Sequence, residues 1–502
     1  MKKKLLPKLA GIETEYAIIM RESEKVYRFG NASSRATKLV LNHCEAFPGG
    51  YRWGCDFLSN GGRLYHDHCH VEYSTPESLS ARQLVAAVKA GDSVVNRARV
   101  RANESLPKEE KILIFANNSD GFGNSYAGHL NLLLSREAFD HLFKKRPHAL
   151  YMYWVPYLVS AQVYTGAGKV GSENCDTAVR FQISQRADFI ETAAIGEQTT
   201  ICRPIINSRD EALADRDRFA RLHIITFDTN MAEYALWLKV GTAQLVLGML
   251  EANYSIVNLT LRDPVTSMKV ISRDPSLKKK VRLEDGRMLS ALDIQEQILL
   301  AASRFVEKGY AGEVVPEAAD IIESWTDTLV KLRNNTGELF GSIDWITKLS
   351  LLSLYRRKKG LSWNHPSMKE LDHQYHNIDP ETGLYFTGLL NGNLVRRVTS
   401  DDEIRFMEDN APENTRAYFR AQCLNRFADH IIGVNWNTIR FSRNDGYFSP
   451  ITASLCLDDP LGFTKEEVDT LLCRVSSVTD LFDLSISEIE DRTSATTYFF
   501  LT

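Results

Sequence analysis

The stretch Gly61-Gly62-Arg63-Leu64-Tyr65-His66-Asp67-His68-Cys69-His70-Val71-Glu72-Tyr73-Ser74-Thr75-Pro76-Glu77 gathers more reactive groups than any other part of the chain. Arg63 suits phosphate oxygens, while Asp67 and Glu72 suit proton transfer or a hard cation. If Arg63 to Asp67 is extended, alternation points Arg63, Tyr65 and Asp67 to one face. Thr75 before Pro76 reads as a helix N-cap with proline at the first helical position. The segment is thus a strand that delivers polar groups to a site and then turns into a helix. Glu72 has the opposite strand parity to Asp67, so a bulge or turn must intervene if both serve one metal.

A second pair of carboxylates lies upstream. Leu9 to Ile19 reads as a strand with Glu13 and Glu15 on one face. Carboxylates crowded onto neighbouring strands repel unless a cation balances them, which suggests Mg²⁺ with oxygen ligands. Two unrelated solvated strand faces fit the same residues as well. The run His66-Asp67-His68-Cys69-His70 invites zinc, with the three histidines on one strand face opposite Asp67. No second ligand cluster accompanies them, so packing is the better reading. Gly166-Ala167-Gly168-Lys169-Val170-Gly171 formally matches G-x-G-x-x-G, but the polar Ser172 to Asp176 that follow are loop residues and exclude a dinucleotide site. Lys169 is left as a cation that a polyphosphate could use. Arg203 to Glu211 and Arg221-Leu222-His223 add guanidiniums suited to phosphate, or to ordinary surface ion pairs.

The elements that position these groups point to an α+β chain with a mostly antiparallel sheet. Helices are expected near residues 36–43 and over 79–100. Strands are expected at 112–115 and 130–134, around the turn-rich loop 117–125, and again at 155–164, 179–184 and 222–226. Helices dominate from Ala232 to about Arg357, and the chain returns to mixed structure from about Thr415. Tyr234 to Leu250 carries Lys239, Gly241 and Gln244, so it reads as a buried amphipathic helix rather than a membrane span. The formal charge of −4 argues against a nucleic-acid binder with a basic surface. Eight cysteines without a C-x-x-C pair read as reduced thiols, and Pro7 cuts short any signal-like run at the N-terminus. The expectation is a cytoplasmic, monomeric enzyme with a metal–nucleotide site on a sheet, without nucleic-acid or membrane partners.

Several motifs resemble one family, that of the Pup ligase (PafA) and the depupylase/deamidase of Pup (Dop). They include Gly11-Ile12-Glu13-Thr14-Glu15-Tyr16, the 61–77 stretch, Asn117-Asn118-Ser119-Asp120, Ser184 to Asp188, Arg203 to Glu211 and Arg221-Leu222-His223. Asp228 to Glu233, Leu238 to Thr242, Asp344-Trp345 and Trp436 continue the match over nearly the whole chain. The resemblance implies a glutamine-synthetase-like (carboxylate–amine ligase) domain over 1–420, an antiparallel cradle flanked by helices, and a small C-terminal domain over 421–502. It implies ATP and Mg²⁺. Glu13, Tyr65 and Glu72 match metal positions, and Glu15 joins them on the strand reading. Arg63, Thr75 and Trp436 match nucleotide positions, and Arg209 and His223 lie in matching motifs assigned to the same ligand. Asp67 matches the catalytic aspartate.

The spacing from Asp67 to Glu72, one residue shorter than in the ligase form, resembles Dop. So do Ile271 to Leu277, Leu361-Ser362-Trp363 and Thr415 to Arg420. The expected reaction is therefore ATP/Mg²⁺-dependent cleavage of the isopeptide bond between a small disordered Pup-like modifier and a substrate lysine, or deamidation of a modifier ending in glutamine. The alternatives are a ligase forming that bond through a glutamyl phosphate, and a nucleotide-binding pseudoenzyme that holds the modifier or its conjugates. Three departures from the family pattern are visible. The Tyr16–Asp67 segment is short, as in the ligase. His129-Leu130-Asn131 stands where the family has His-Glu-Asn, which removes a carboxylate expected to help hold metal or substrate. Phe227 replaces a glycine.

Overall fold

Strand β1 (Ala10–Glu22) is the spine of the molecule. The computed structural model describes residues 5–22, 25–27, 31–44, 55–254, 256–312, 314–443, 451–483 and 499–501. The main sheet adds β2 (Lys25–Tyr27), β3 (Cys55–Phe57), β4 (Arg63–Asp67), β5 (His70–Ser74), β6 (Glu110–Phe115), β7 (Gly128–Ser135) and, after two short strands, β10 (Phe219–Ile224). Its order is β10-β7-β1-β5-β4-β3, with β2 and β6 paired to the far half of β1, and every pairing is antiparallel. The α+β, antiparallel expectation holds.

The register explains how the carboxylates meet. Glu13 pairs with Ser74 on one side and His129 on the other, while Glu15 pairs with Glu72. Tyr65 also pairs with Glu72, and Asp67 with His70. Residues directly opposite in a ladder share a face, so one face carries the acids, Arg63 and Tyr65. The other face presents Ile12, Tyr16, Leu64, Val71 and Tyr73, all buried, to the helices. The parity problem at Glu72 is solved by a two-residue turn, His68–Cys69, joining β4 to β5. His68 takes a left-handed φ of 49°, as the first residue of such a hairpin turn requires. This turn also corrects the histidine reading: His70 lies on the Asp67 face, not opposite it.

Helix α1 (Asn31–Asn42) packs over the hairpin, where Thr37 Oγ1 donates to the Cys69 carbonyl at 2.9 Å. Helix α2 (Ala81–Glu104) begins later than the sequence suggests. Its N-cap is Ser80, whose Oγ accepts from Gln83 N, and Thr75 instead uses Oγ1 to accept from Ile12 N at 3.0 Å. Thr75 therefore stitches β5 to β1 rather than capping a helix. Against Tyr73, α2 approaches so closely that a Cβ on Gly91 would lie 2.2 Å from the ring.

After α3 (Arg136–Asp140) comes α4 (Val155–Thr165), which replaces the strand expected at 155–164. All eleven of its residues are buried, so the segment has no polar face from which either period could be read. Strands β8 (Lys169–Val170) and β9 (Phe181–Gln182) form a small separate pair. Helix α5 (Glu233–Glu251) forms as expected, yet it is buried on all sides rather than amphipathic. It packs with α4, α6 (Pro264–Ser272), the hairpin β11 (Lys280–Arg282)–β12 (Met288–Ser290), α7 (Ala291–Glu307) and α8 (Ala318–Asn334) in the main core. Helices α9 (Asp344–Lys359), α10 (Pro366–Tyr375) and α11 (Asp401–Asp409) follow. No helix among the described residues is long and apolar enough to cross a membrane.

The last part builds a second antiparallel sheet of β13 (Ile431–Asn435), β14 (Thr438–Arg443), β15 (Ile451–Cys456) and β16 (Phe499–Leu501). Helices α12 (Arg416–Phe427), α13 (Lys465–Leu472) and α14 (Val478–Asp483) accompany it. Phe57, from the edge of the main sheet, sits in the same core as Phe419, Phe441 and Leu455.

Candidate active site

Two groups of metal-capable side chains lie side by side on the polar face. Glu15, Asp67 and Glu72 bring carboxylate oxygens within 4.8 Å of one another, and Glu13, His129 and His223 do the same with their ligand atoms. Ala127 N donates to Glu15 Oε2 at 2.7 Å, fixing that carboxylate. The Tyr65 hydroxyl donates to Glu72 and lies 3.4 Å from Ser74 Oγ. Burial and the neighbouring Glu15 and Glu13 charges push the Glu72 carboxyl well above the usual range. The Tyr65 phenol is pushed up by burial and then by Glu72 and Glu13. Acids crowded this way call for a cation.

Glu13 is balanced differently. Burial would raise its carboxyl, but the His129 hydrogen bond and the Arg221 charge hold it below the usual range. Asn131 Nδ2 reaches Glu13 Oε1 at 3.1 Å, and Arg221 Nη1 reaches it at 3.2 Å. Asn131 Oδ1 accepts from Arg221 Nη1 at 3.3 Å, so the oxygen is also the acceptor for His223 Nδ1 at 2.9 Å. His223 Nδ1 therefore carries the proton, and burial keeps the ring neutral.

Cations and aromatic rings complete the face. The Arg63 guanidinium lies 4.6 Å from the Tyr65 ring centre and 5.8 Å from that of Phe57. Phe57 packs edge-on against Trp436 at 5.2 Å. An open cleft runs between this face and the C-terminal sheet, lined by Gly11, Glu13, Thr75, Leu213, Arg221 and Trp436. Arg63 Nε, Arg221 Nε and His223 Nε2 are buried without a hydrogen-bond partner. Two unsatisfied guanidinium donors beside an excess of carboxylate suit a polyphosphate bound through a divalent cation. The donor set fits a magnesium nucleotide.

The sequence-derived residues Glu13, Glu15, Arg63, Tyr65, Asp67, Glu72 and His223 come together on one face, with Thr75 and Trp436 at the cleft. Arg209 stands at the margin, half-exposed and paired with Glu211 at 3.0 Å. Lys169 is not in the site: it is buried, ion-paired with Glu173 and, at 3.5 Å, with Asp188. Leu130 lies on the core face of β7, fully buried among apolar residues, so its side chain leaves no gap among the acids. Phe227 is likewise a core residue. Asp228 accepts from Ser184 Oγ and from the backbone N–H groups of Ala167 and Gln185, at 2.8–2.9 Å, so these two motifs brace one another. Sequence reasoning does not place His129 and Asn131 in the site, because their role depends on pairing of β7 with β1. Their alternation on β7, in register with Glu13, was the usable signal.

A family model described as Pup-ligase protein matches residues 8–440. The chain belongs to the Pup ligase family. A depupylase of Acidothermus cellulolyticus is 37% identical over 425 residues, covering 84% of this chain and 82% of that protein. The Pup deamidase/depupylase of Mycolicibacterium smegmatis is 38% identical over 427 residues (85% and 82%). A Pup–protein ligase of Corynebacterium aurimucosum is 34% identical over 461 residues (90% and 94%). Among solved structures, the complex of the ubiquitin-like protein Pup with its ligase PafA superposes with a TM-score of 0.80 at 29% identity, covering 96% of this chain and 93% of the other. PafA in complex with ADP gives 0.75 at 32% identity (86% and 92%). The helix-flanked antiparallel cradle is thus the fold of this family, as the resemblance implied.

Proposed function

We propose that the chain is an ATP- and Mg²⁺-dependent hydrolase that releases a Pup-like modifier from substrate lysines, and deamidates a modifier ending in glutamine. The observation that carries this reading is the Asp67 carboxylate, held by a tight hairpin among Glu15 and Glu72 with their oxygens within 4.8 Å. The depupylase relatives support the choice of reaction. Glu13, Glu15, Tyr65 and Glu72 hold the metal. Arg63, Arg221 and Arg209 take the phosphates, His223 offers its unprotonated Nε2 to the metal end of the nucleotide beside Glu13, and Thr75 and Trp436 line the rest of the cleft. When bound, the magnesium nucleotide supplies positive charge and phosphoryl oxygens beside Asp67. Asp67 removes a proton from the water that attacks the side-chain carbonyl, the carbon–nitrogen bond breaks, and Asp67 returns the proton to the departing amine. The large domain, expected over 1–420, carries this reaction, and the C-terminal unit, to which helix α12 (Arg416–Phe427) packs, closes the cleft through Trp436. The enzyme works as a cytoplasmic monomer on the small disordered modifier and its lysine-linked conjugates, without nucleic acid or membrane.

A ligase is the second reading, favoured by the short Tyr16–Asp67 segment and by the ligase relatives. Incubation with ATP, Mg²⁺ and a modifier–lysine conjugate separates the readings. Free modifier from wild type, and none from Asp67→Asn, supports the hydrolase. Conjugate built from free modifier and a lysine substrate makes the chain a ligase, and nucleotide binding with neither reaction leaves only a binding role.

A further inference from the structure

The segment leading into β10 sets one acid, Glu211, between two guanidiniums. Asn207 bridges to His223, and Arg209 N donates to Asn207 Oδ1 at 2.9 Å. Asp210 accepts from Arg136 Nη1 at 2.5 Å and from Arg221 N at 3.2 Å. The Leu213 carbonyl accepts from Arg416 Nη1 at 2.8 Å. The backbone is therefore pinned on both sides of Glu211. Its carboxylate spans two guanidiniums, with Oε1 3.0 Å from Arg209 Nε and Oε2 3.6 Å from Arg221 Nη2. Arg221 lines the cleft, and its Nη1 also holds Glu13.

We infer that Glu211 is a built-in competitor for the nucleotide: its carboxylate occupies Arg209 and Arg221 until a polyphosphate displaces it. This rests on the nucleotide reading above. The exchange needs only a side-chain rotation, because the chain on either side is anchored. A carboxylate bridging two guanidiniums imitates a phosphate's charge and its spread of oxygens. Glu211 is 48% exposed, so its hold is that of a surface ion pair and not of a buried one. Neutralising it should change affinity by about two- to five-fold.

The test is calorimetric titration of the whole chain with Mg²⁺–ADP, inorganic tripolyphosphate and adenosine, for wild type and Glu211→Gln. The inference expects Mg²⁺–ADP and tripolyphosphate to bind about two- to five-fold more tightly to the variant, adenosine to bind equally, and added salt to narrow the difference. Unchanged or weaker Mg²⁺–ADP binding by Glu211→Gln, with wild type binding normally, overturns this inference and leaves the nucleotide reading standing. Equal tightening of adenosine also overturns it, because the effect would then not lie at the phosphate end. Wild type that binds no Mg²⁺–ADP removes the nucleotide reading itself.

Discussion

Replacing Glu77 with glutamine should loosen the C-terminal unit from the catalytic sheet. Glu77 closes the reactive stretch, and its Oε1 accepts from Arg416 Nε at 2.8 Å and Arg420 Nη1 at 3.2 Å, while Oε2 accepts from Arg420 Nη2. Both guanidiniums are buried, and both reach onward: Arg420 to the Gly61 and Trp436 carbonyls, Arg416 to those of Leu213 and Leu457. One carboxylate thus neutralises two buried cations at the seam. Burial works to raise its carboxyl, yet the charges of Arg420 and Arg416 pull it from an ordinary 4.5 to about 2. At about 1.4 kcal/mol per pH unit, that difference is worth about 3 kcal/mol. Removing one partner of a buried pair costs a similar amount, about 3–5 kcal/mol. Because the folded value lies below the unfolded one, the contribution is complete above about pH 4.5 and is lost as pH falls toward about 2. Urea denaturation across that pH range, for wild type and Glu77→Gln, measures both. The variant should lose about 3 kcal/mol near neutral pH and show a flatter acid limb. A loss below about 1 kcal/mol, the value of a surface pair, would show that Glu77 does not neutralise the two buried arginines.

Three further outcomes follow from other parts of the molecule. Glu72→Ala should weaken Mg²⁺–nucleotide binding at least about ten-fold in calorimetry, since it removes a charged oxygen ligand, and unchanged affinity would take Glu72 out of the site. Gly91→Ala should destabilise by about 1–3 kcal/mol, because its Cβ would meet the Tyr73 ring at 2.2 Å; a thermal midpoint equal to wild type would show that α2 can shift at no cost. Burial lowers the Lys239 amine to about 7, so the unfolded chain binds more protons between about pH 7 and 10, and stability should climb across that window. Lys239→Met should make the climb shallower, with the buried Lys8 and Lys348 amines, also lowered, supplying the rest, and a slope unchanged in the variant would assign it elsewhere.

The site was more legible than the fold around it. Alternation alone grouped Arg63 with Tyr65 and Asp67, and Glu13 with Glu15, because strand parity survives any detail of packing. It could not place Glu72, whose parity depends on a turn at His68–Cys69 that carries no glycine to announce it. Thr75-Pro76 imitated a helix start because threonine's hydroxyl serves a neighbouring strand's N–H as readily as a helix's. Val155 to Thr165 was unreadable for a different reason: a helix buried all round has no solvent-facing side to set its period. His129 and Asn131 needed the β1–β7 register, a long-range pairing that no local window contains. The Asp228 brace with Ser184 and Gln185 is another long-range contact that no local window contains.

In the proposed reaction, Asp67, among Glu15 and Glu72, carries out hydrolysis of a modifier–lysine bond. The most direct measurement follows a purified conjugate of a Pup-like modifier with a lysine substrate, incubated with ATP and Mg²⁺ and read by intact mass. Wild type should release unmodified substrate and free modifier. Asp67→Asn should release neither while binding Mg²⁺–nucleotide with affinity within about three-fold of wild type. Release by Asp67→Asn at the wild-type rate would show that the Asp67 carboxylate is not the catalytic base.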